Sequence, residues 1–417
     1  MNVRRLLFAC ALALVFPLGV QASTAADPGV TSTSILIGGT VPLSGEAASG
    51  GVTAKGAAAY FAYVNAKGGV FKRKINYRYV DDAYDPAKTI QATRELVQQD
   101  HVFAIFNSLG TTQNIAIRPF LNSVGVPQLF VASGWGGWAR EYKRYPGTIG
   151  FIPTYTGEGI IYGRYIKKKL PKAKIGVLYQ DDEYGRELVA ALKKGLGSKA
   201  RQIVSQKSYD PTSTDVSQQV IALKASGANV LMNFAFGKFA VLTFVHVKKL
   251  GWKPQIFVNA VAAATSVMKL ASASGQTQNA ISIGFFKDPA DPRFDRDKGM
   301  KLYKSIMRKY GGGGQPGRAA VCSRGGAPAW CSGYYLAGMA SAYAMTAALK
   351  KAGKNLTRKS LMRAVTHLDI RDNPFVLPKV RIKTSPTDRY PIEQAQLQRW
   401  KGTRWRAFGK LAPAPRR

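Results

Sequence analysis

The sequence predicts an α/β protein of two doubly wound, parallel-sheet lobes, and three observations carry that expectation. Short apolar runs alternate with helical stretches of ten or more residues along much of the chain, the pattern of strand–helix–strand crossovers. The alternation comes as two series, the second beginning near residue 150. The length, about 390 residues after loss of an N-terminal leader, suits two domains rather than one.

In the first series Ser34 to Gly39 is an apolar run closed by the turn Pro42-Leu43-Ser44-Gly45. Gly56 to Asn65 is Ala-rich and helical and ends at Lys67-Gly68-Gly69. Ile75 to Val80 alternates as a strand. Asp85-Pro86 opens a helix, with Asp at the cap and Pro at its first position. Val102 to Phe106 reads as a buried strand, Thr112 to Leu121 as a helix capped by Thr111, Val126 to Val131 as a strand, and Trp135 to Trp138 as a loop. The second series places strands at Lys174 to Tyr179, Gln202 to Tyr209, Asn229 to Phe234 and Gln255 to Asn259. Its helices fall at Glu183 to Leu196, Val216 to Ala225 and Val241 to Leu250.

The stretch Asn107-Ser108-Leu109-Gly110-Thr111-Thr112-Gln113-Asn114 joins a buried strand to a helix. A helix opening there aims several N–H groups, and the positive end of its dipole, at one spot. That spot suits a carboxylate or another small anion. An ordinary strand-to-helix turn, with Gly for backbone freedom and Thr as cap, explains the same residues. In open sheets of this kind ligands sit outside the carboxyl ends of the strands. With two lobes face to face, the cleft between them is the expected site.

Met1-Asn2-Val3-Arg4-Arg5 followed by apolar Leu6 to Val20 and by Val20-Gln21-Ala22 is the pattern of a secretory signal peptide, residues 1–22, with cleavage as late as 26 the second choice. Cys10 lies too early, after Phe8, for a lipoprotein cysteine and leaves with the signal. Two cysteines remain, Cys322 and Cys331, and an oxidising compartment favours a disulfide stapling the Gly-rich loop 311–333. Metal binding is the alternative; it fits poorly, because His101, His246 and His367 are distant and no Cys-x-x-Cys occurs.

Lys and Arg number 60 against 23 Asp and Glu, a net charge of +37. Such a balance first suggests nucleic acid. The charge is scattered in small clusters such as Lys167-Lys168-Lys169 and Lys248-Lys249, with no basic tail, and export argues against that partner. A basic exterior favours anionic ligands or membrane surfaces, but a solvated face adapted to habitat is the preferred, plainer reading. Asp81-Asp82 and Asp181-Asp182 pair carboxylates, as acid/base chemistry requires. Both follow a strand and precede a helix, so solvated loop or capping roles are preferred. No Gly-x-x-x-x-Gly-Lys, Gly-x-Ser-x-Gly or His-Glu-x-x-His is present.

Ile37-Gly38, Pro42-Leu43-Ser44-Gly45, Asn65-Ala66-Lys67-Gly68-Gly69, Asp81-Asp82-Ala83-Tyr84-Asp85-Pro86 and Gly110-Thr111-Thr112 occur in order, followed by Val126-Pro127 and Asp181-Asp182-Glu183-Tyr184-Gly185. As an ordered set they resemble the leucine/isoleucine/valine-binding proteins, type I periplasmic binding proteins of ABC importers. The resemblance covers nearly the whole mature length. It implies two lobes joined by a three-strand hinge, 30–150 with 281–370 and 151–280 with 371–417, closing over one small molecule. It implies a periplasmic monomer without catalysis or cofactor, working with an ABC permease in the inner membrane.

Position by position, the resemblance also implies a pocket. Ser49, Leu109 (through its backbone), Thr111, Ala132 and Gly134 come from the first lobe, the last four meeting a ligand carboxylate. Tyr155, Tyr184, Phe236 and Ala260 come from the second. Ala260 stands where amino-acid binders carry an acid for the ligand's ammonium, and an unpaired ammonium in a closed cleft is costly. The expected cargo is therefore a small carboxylate, branched-chain amino acid-like or aromatic, with the aromatic acid favoured. Trp135 and Trp138 offer stacking surface beside it or pack their own loop. Two other classes share these features: a ligand-binding module of a membrane sensor, and an exported α/β enzyme, for which no nucleophile–base set is found.

Overall fold

The computed structural model describes residues 27–311, 322 and 328–415. The expected signal segment and most of the 311–333 loop lie outside them. Along the chain run β1 (Ser34–Val41), α1 (Ala48–Ala66), β2 (Lys74–Asp81), α2 (Pro86–Gln98), β3 (Ala104–Phe106), α3 (Thr111–Ser123), β4 (Gln128–Val131), α4 (Gly137–Arg140) and β5 (Thr148–Gly150). Then follow α5 (Tyr155–Lys169), β6 (Ile175–Gln180), α6 (Glu183–Leu196), β7 (Ile203–Tyr209), α7 (Ser217–Ala225), β8 (Val230–Phe234), α8 (Gly237–Lys249), β9 (Gln255–Val258), α9 (Thr265–Ser274) and β10 (Ile281–Gly284). The last part holds α10 (Lys298–Tyr310), α11 (Gly333–Ala352), α12 (Arg358–Val365), β11 (Asp369–Ile370), β12 (Ile382–Lys383), β13 (Gln394–Lys401), β14 (Arg404–Ala407) and β15 (Ala412–Pro413).

The first sheet is parallel with strand order β2-β1-β3-β4-β5, and the second runs β14-β13-β10-β9-β8-β6-β7. The switch points, between β1 and β3 and between β6 and β8, are where neighbouring crossovers leave in opposite directions and open a crevice. Caps set several helix starts locally. Asp85 accepts from the Ala87 amide with Pro86 at the first helical position, and Asp182 accepts from the Gly185 amide. No helix among the described residues is long and apolar enough to cross a membrane.

Several expectations shift. Helix α1 begins at Ala48 rather than Gly56, taking in Gly50 and Gly51 despite the low helix propensity of glycine. Packing against α11 repays this: a Cβ on Gly56 would lie 1.9 Å from the Tyr335 carbonyl, and one on Gly338 1.8 Å from that of Thr53. Thr111 is the first helical residue of α3, and Gly110, at φ 109°, takes the cap. Strand β10, placed in the first lobe by the sequence, hydrogen-bonds in the second sheet, beside β9 and antiparallel to β13. Conversely Phe375, Val380, Ile382 and Ile392, assigned to the second lobe, are buried in the apolar core beneath α1 and α11. The chain thus leaves the second sheet after Gly284 and returns to it at Gln394. The second sheet is also mixed, because the closing hairpin β13–β14 is antiparallel. Cys322 and Cys331 are joined by a disulfide at the foot of α11.

Candidate functional site

One cleft lies between the two sheets, a space of about 1020 Å³ with its open mouth included. From the first sheet's carboxyl ends come Tyr84, Leu109, Thr111 and Ala132; from the second side come Tyr155, Tyr184, Phe236 and Ala260. Ile152, Phe285, Phe286 and Asp288, on the chain crossings, continue the wall, with Tyr334 and Ala337 from α11 and Trp405 from β14. Apolar and aromatic side chains dominate, as in most small-molecule sites.

Polar groups converge at one end. The Thr111 and Ser133 hydroxyls are 2.7 Å apart and buried, and the Tyr155 hydroxyl lies near both side chains. Here α3 begins, and its first N–H groups have no acceptor within the helix. Thr111 therefore stands in the first turn of a 13-residue helix with its hydroxyl aimed at a partner across the strand ends. The Thr111 and Tyr155 hydroxyls, with Ser133 behind Thr111, and a helix N-terminus can hold a carboxylate through several short hydrogen bonds.

Aromatic rings form the remaining walls. Tyr155 and Tyr184 meet edge to face at 4.9 Å, and the Tyr184 hydroxyl donates to the Ala235 carbonyl. Phe236 faces Tyr84 across the cleft at 5.7 Å. Tyr84 holds that position through a left-handed backbone, φ 65°, in a turn tied down by Asp82. Neither aspartate pair is among the residues that line the cleft. Asp81 accepts from the Leu43 and Ala83 amides, while Asp82 is buried rather than solvated and burial pushes its carboxyl up to about 6.

Glu158 lies behind Ala260. Its Oε1 accepts from the Ala260 amide at 2.6 Å and from the Tyr162 hydroxyl at 2.8 Å. Burial raises this carboxyl to about 7, with both donors pulling the other way. Thr53, on α1, also lines the cleft, and its buried hydroxyl has no partner among the described residues.

The two sides touch along the rim. The Thr112 hydroxyl donates to Asp182 Oδ2 at 3.2 Å, the Gly136 amide donates to Glu187 Oε2 at 2.9 Å, and the Lys238 amide donates to the Glu46 carbonyl at 3.0 Å. A Lys238–Glu46 ion pair adds to the last. Burial raises the carboxyls of both Asp182 and Glu187.

Not every expected residue lines the cleft. The Leu109 amide is committed to the Thr40 carbonyl at 3.0 Å, so Leu109 contributes its side chain, packed between Gly50 and Phe236, instead of an amide for the ligand. Ser49 is exposed and reaches the cleft only through Tyr334. Gly134 supports it from behind: a Cβ there would lie 2.9 Å from the Tyr155 ring. Trp135 and Trp138 pack edge to face at 4.8 Å around the buried Arg118 guanidinium, which donates to the Gly137 carbonyl. They order their own loop and leave the cleft free. Tyr84, Glu158 and Tyr334 escaped the sequence reading; Tyr84 lies within a quoted motif, and the other two carry no local signal.

A family model described as periplasmic binding protein matches residues 34–404. The Leu/Ile/Val-binding protein homolog 7 of Brucella abortus is 28% identical over 242 residues, covering 55% of this chain and 59% of its own length. The match thus spans less than two thirds of that relative. Among solved structures, a branched chain amino acid ABC transporter protein from Thermus thermophilus with bound valine aligns with a TM-score of 0.77 at 17% identity, over 93% of this chain and 98% of its own. A solute binding protein of an ABC transporter from R. palustris in complex with benzoate gives 0.72 at 16% identity, over 92% and 97%. At these identities the likeness is one of fold.

Proposed function

This chain belongs to the periplasmic binding protein family, and from that premise we propose that it is an exported solute receptor of an ABC importer whose cleft takes a small carboxylate, aromatic in preference to an α-amino acid. The observation that carries this reading is the pairing of the Thr111 and Tyr155 hydroxyls and the α3 N-terminus, with Ser133 behind Thr111, with ring-lined walls elsewhere. Ala260 offers an ammonium no acid of its own, and the Glu158 carboxyl behind it already takes the Ala260 amide.

The ligand meets the first lobe through its carboxylate. Tyr184 and Phe236 of the second lobe then engage its apolar body once the cleft shuts, so binding shifts the population towards the closed form. A membrane permease reads that form, and the periplasm is the place of action. The benzoate-bound neighbour supports an aromatic cargo and the valine-bound one an amino acid; the lack of an acid at Ala260 favours the first. Titration calorimetry with benzoate and with leucine tests the choice. Benzoate is expected to bind and leucine to give no heat; tight leucine binding without response to aromatic acids overturns it.

A further inference from the structure

The cleft has walls besides those at the hydroxyl end. Ile283, Phe285 and Val261 line it too, together with the small side chains of Ala264 and Ala337. It also holds a second polar group, Asp288, which a neighbouring depression shares. Asp288 is half-buried and accepts from the Thr265 hydroxyl and, at 2.9 Å, from the Ala290 amide. An ionised carboxylate has about four acceptor sites, so room for a further donor remains. The neighbouring Lys287 ammonium is already taken by Asp297 and the Pro374 carbonyl and does not neutralise a second anion. A smaller depression shares Gly284, Phe286, Asp288, Gln398 and Trp405 with the cleft and continues past Asp291 and Arg293, so this end sits near a polar mouth.

Resting on the carboxylate reading above, we infer that the cleft is built for an elongated acid: carboxylate at Thr111 and Tyr155, apolar body along the walls of Ile283, Phe285 and Val261, and a hydroxyl at the other end donating to Asp288. A second carboxylate at that end would meet Asp288 with like charge, so a dicarboxylate is rejected. The single-ended alternative, a compact acid that leaves the hinge arm to water, gains nothing from length.

Calorimetry along a ladder of phenylacetate, 4-phenylbutanoate and 4-(4-hydroxyphenyl)butanoate separates the two. Each buried methylene is worth about fourfold in affinity, so the two added methylenes are expected to tighten binding roughly fifteenfold. The hydroxyl is expected to add about tenfold more, as a hydrogen bond to a charged acceptor does. Asp288→Ala is expected to abolish the hydroxyl's advantage and keep that of length. Ala337→Phe fills the space beside Tyr334 and is expected to erase both gains, with an unchanged urea-unfolding midpoint showing that the variant is folded. Phenylacetate binding with no gain along the ladder overturns the elongated site and leaves the carboxylate reading standing. No response to any of the three acids overturns both.

Discussion

Replacing Glu158 with Gln tests whether a buried carboxyl sets the pH dependence of this fold. In the native protein the carboxyl sits under the Ala260 amide and the Tyr162 hydroxyl, and burial raises it from 4.5 to about 7. That gap corresponds to about 3 kcal/mol between the two protonation states. Below pH 4.5 the group is protonated folded and unfolded, and it costs nothing. Between 4.5 and about 7 the unfolded chain gives up its proton first, so stability falls as pH rises. Above about 7 both states are ionised and the loss levels off near its full value. Glutamine has the same shape and keeps an oxygen for the Ala260 amide. Glu158→Gln is therefore expected to match the parent at pH 4.5 and exceed it by up to about 3 kcal/mol at pH 8. Urea unfolding of both proteins at half-unit steps from pH 4.5 to 8.5 reads this directly. Parallel stability profiles, or a variant weaker than the parent at pH 8, would refute the reasoning.

Thr111→Val keeps the volume and removes the hydroxyl beside Ser133; benzoate affinity is expected to fall by roughly 10- to 100-fold in calorimetry, the worth of a hydrogen bond to a charged group. Glu187→Ala cuts the tie between α6 and the Gly136 amide, so small-angle scattering is expected to show weaker ligand-induced compaction, with affinity down about tenfold. Cys331→Ser opens the Cys322–Cys331 link and is expected to cost about 2.5–3 kcal/mol in urea unfolding, the chain-entropy value for so short a loop.

Much of the fold is legible because its physics is local. The helix Glu183–Leu196 can be read to the residue, since Asp182 caps it and its apolar stripe faces one way. The buried strands announce themselves as short apolar runs. The start of α1 is not legible, because Gly50 and Gly51 argue against helix, and their close approach to Leu109, Phe236 and Pro42 is a tertiary feature. Nor is the place of β10: a four-residue apolar strand has no preference for one sheet over another until β13 arrives from 110 residues later to pair with it. The cleft divides in the same way. Thr111 is suggested by the strand-to-helix turn it sits in, while Tyr155, Tyr184 and Phe236 are reached only through the resemblance to the family. Phe285, Asp288, Tyr334 and Trp405 belong to crossings and to the last helix and hairpin, and chain distance hides their convergence. Trp135 misleads for a related reason, since nothing nearby in sequence reveals Arg118 as its neighbour.

The antiparallel pairing of β10 with β13 has a consequence for assembly. Strand β10 begins the second passage between lobes, yet its outer edge stays bare until residues 394–401 have been made and docked. Pairing across so long a loop forms slowly, and an uncovered edge invites the strand of another molecule. Copies shortened ahead of Gln394 should therefore stick to one another during refolding, while the intact chain buries that hazard with its own tail.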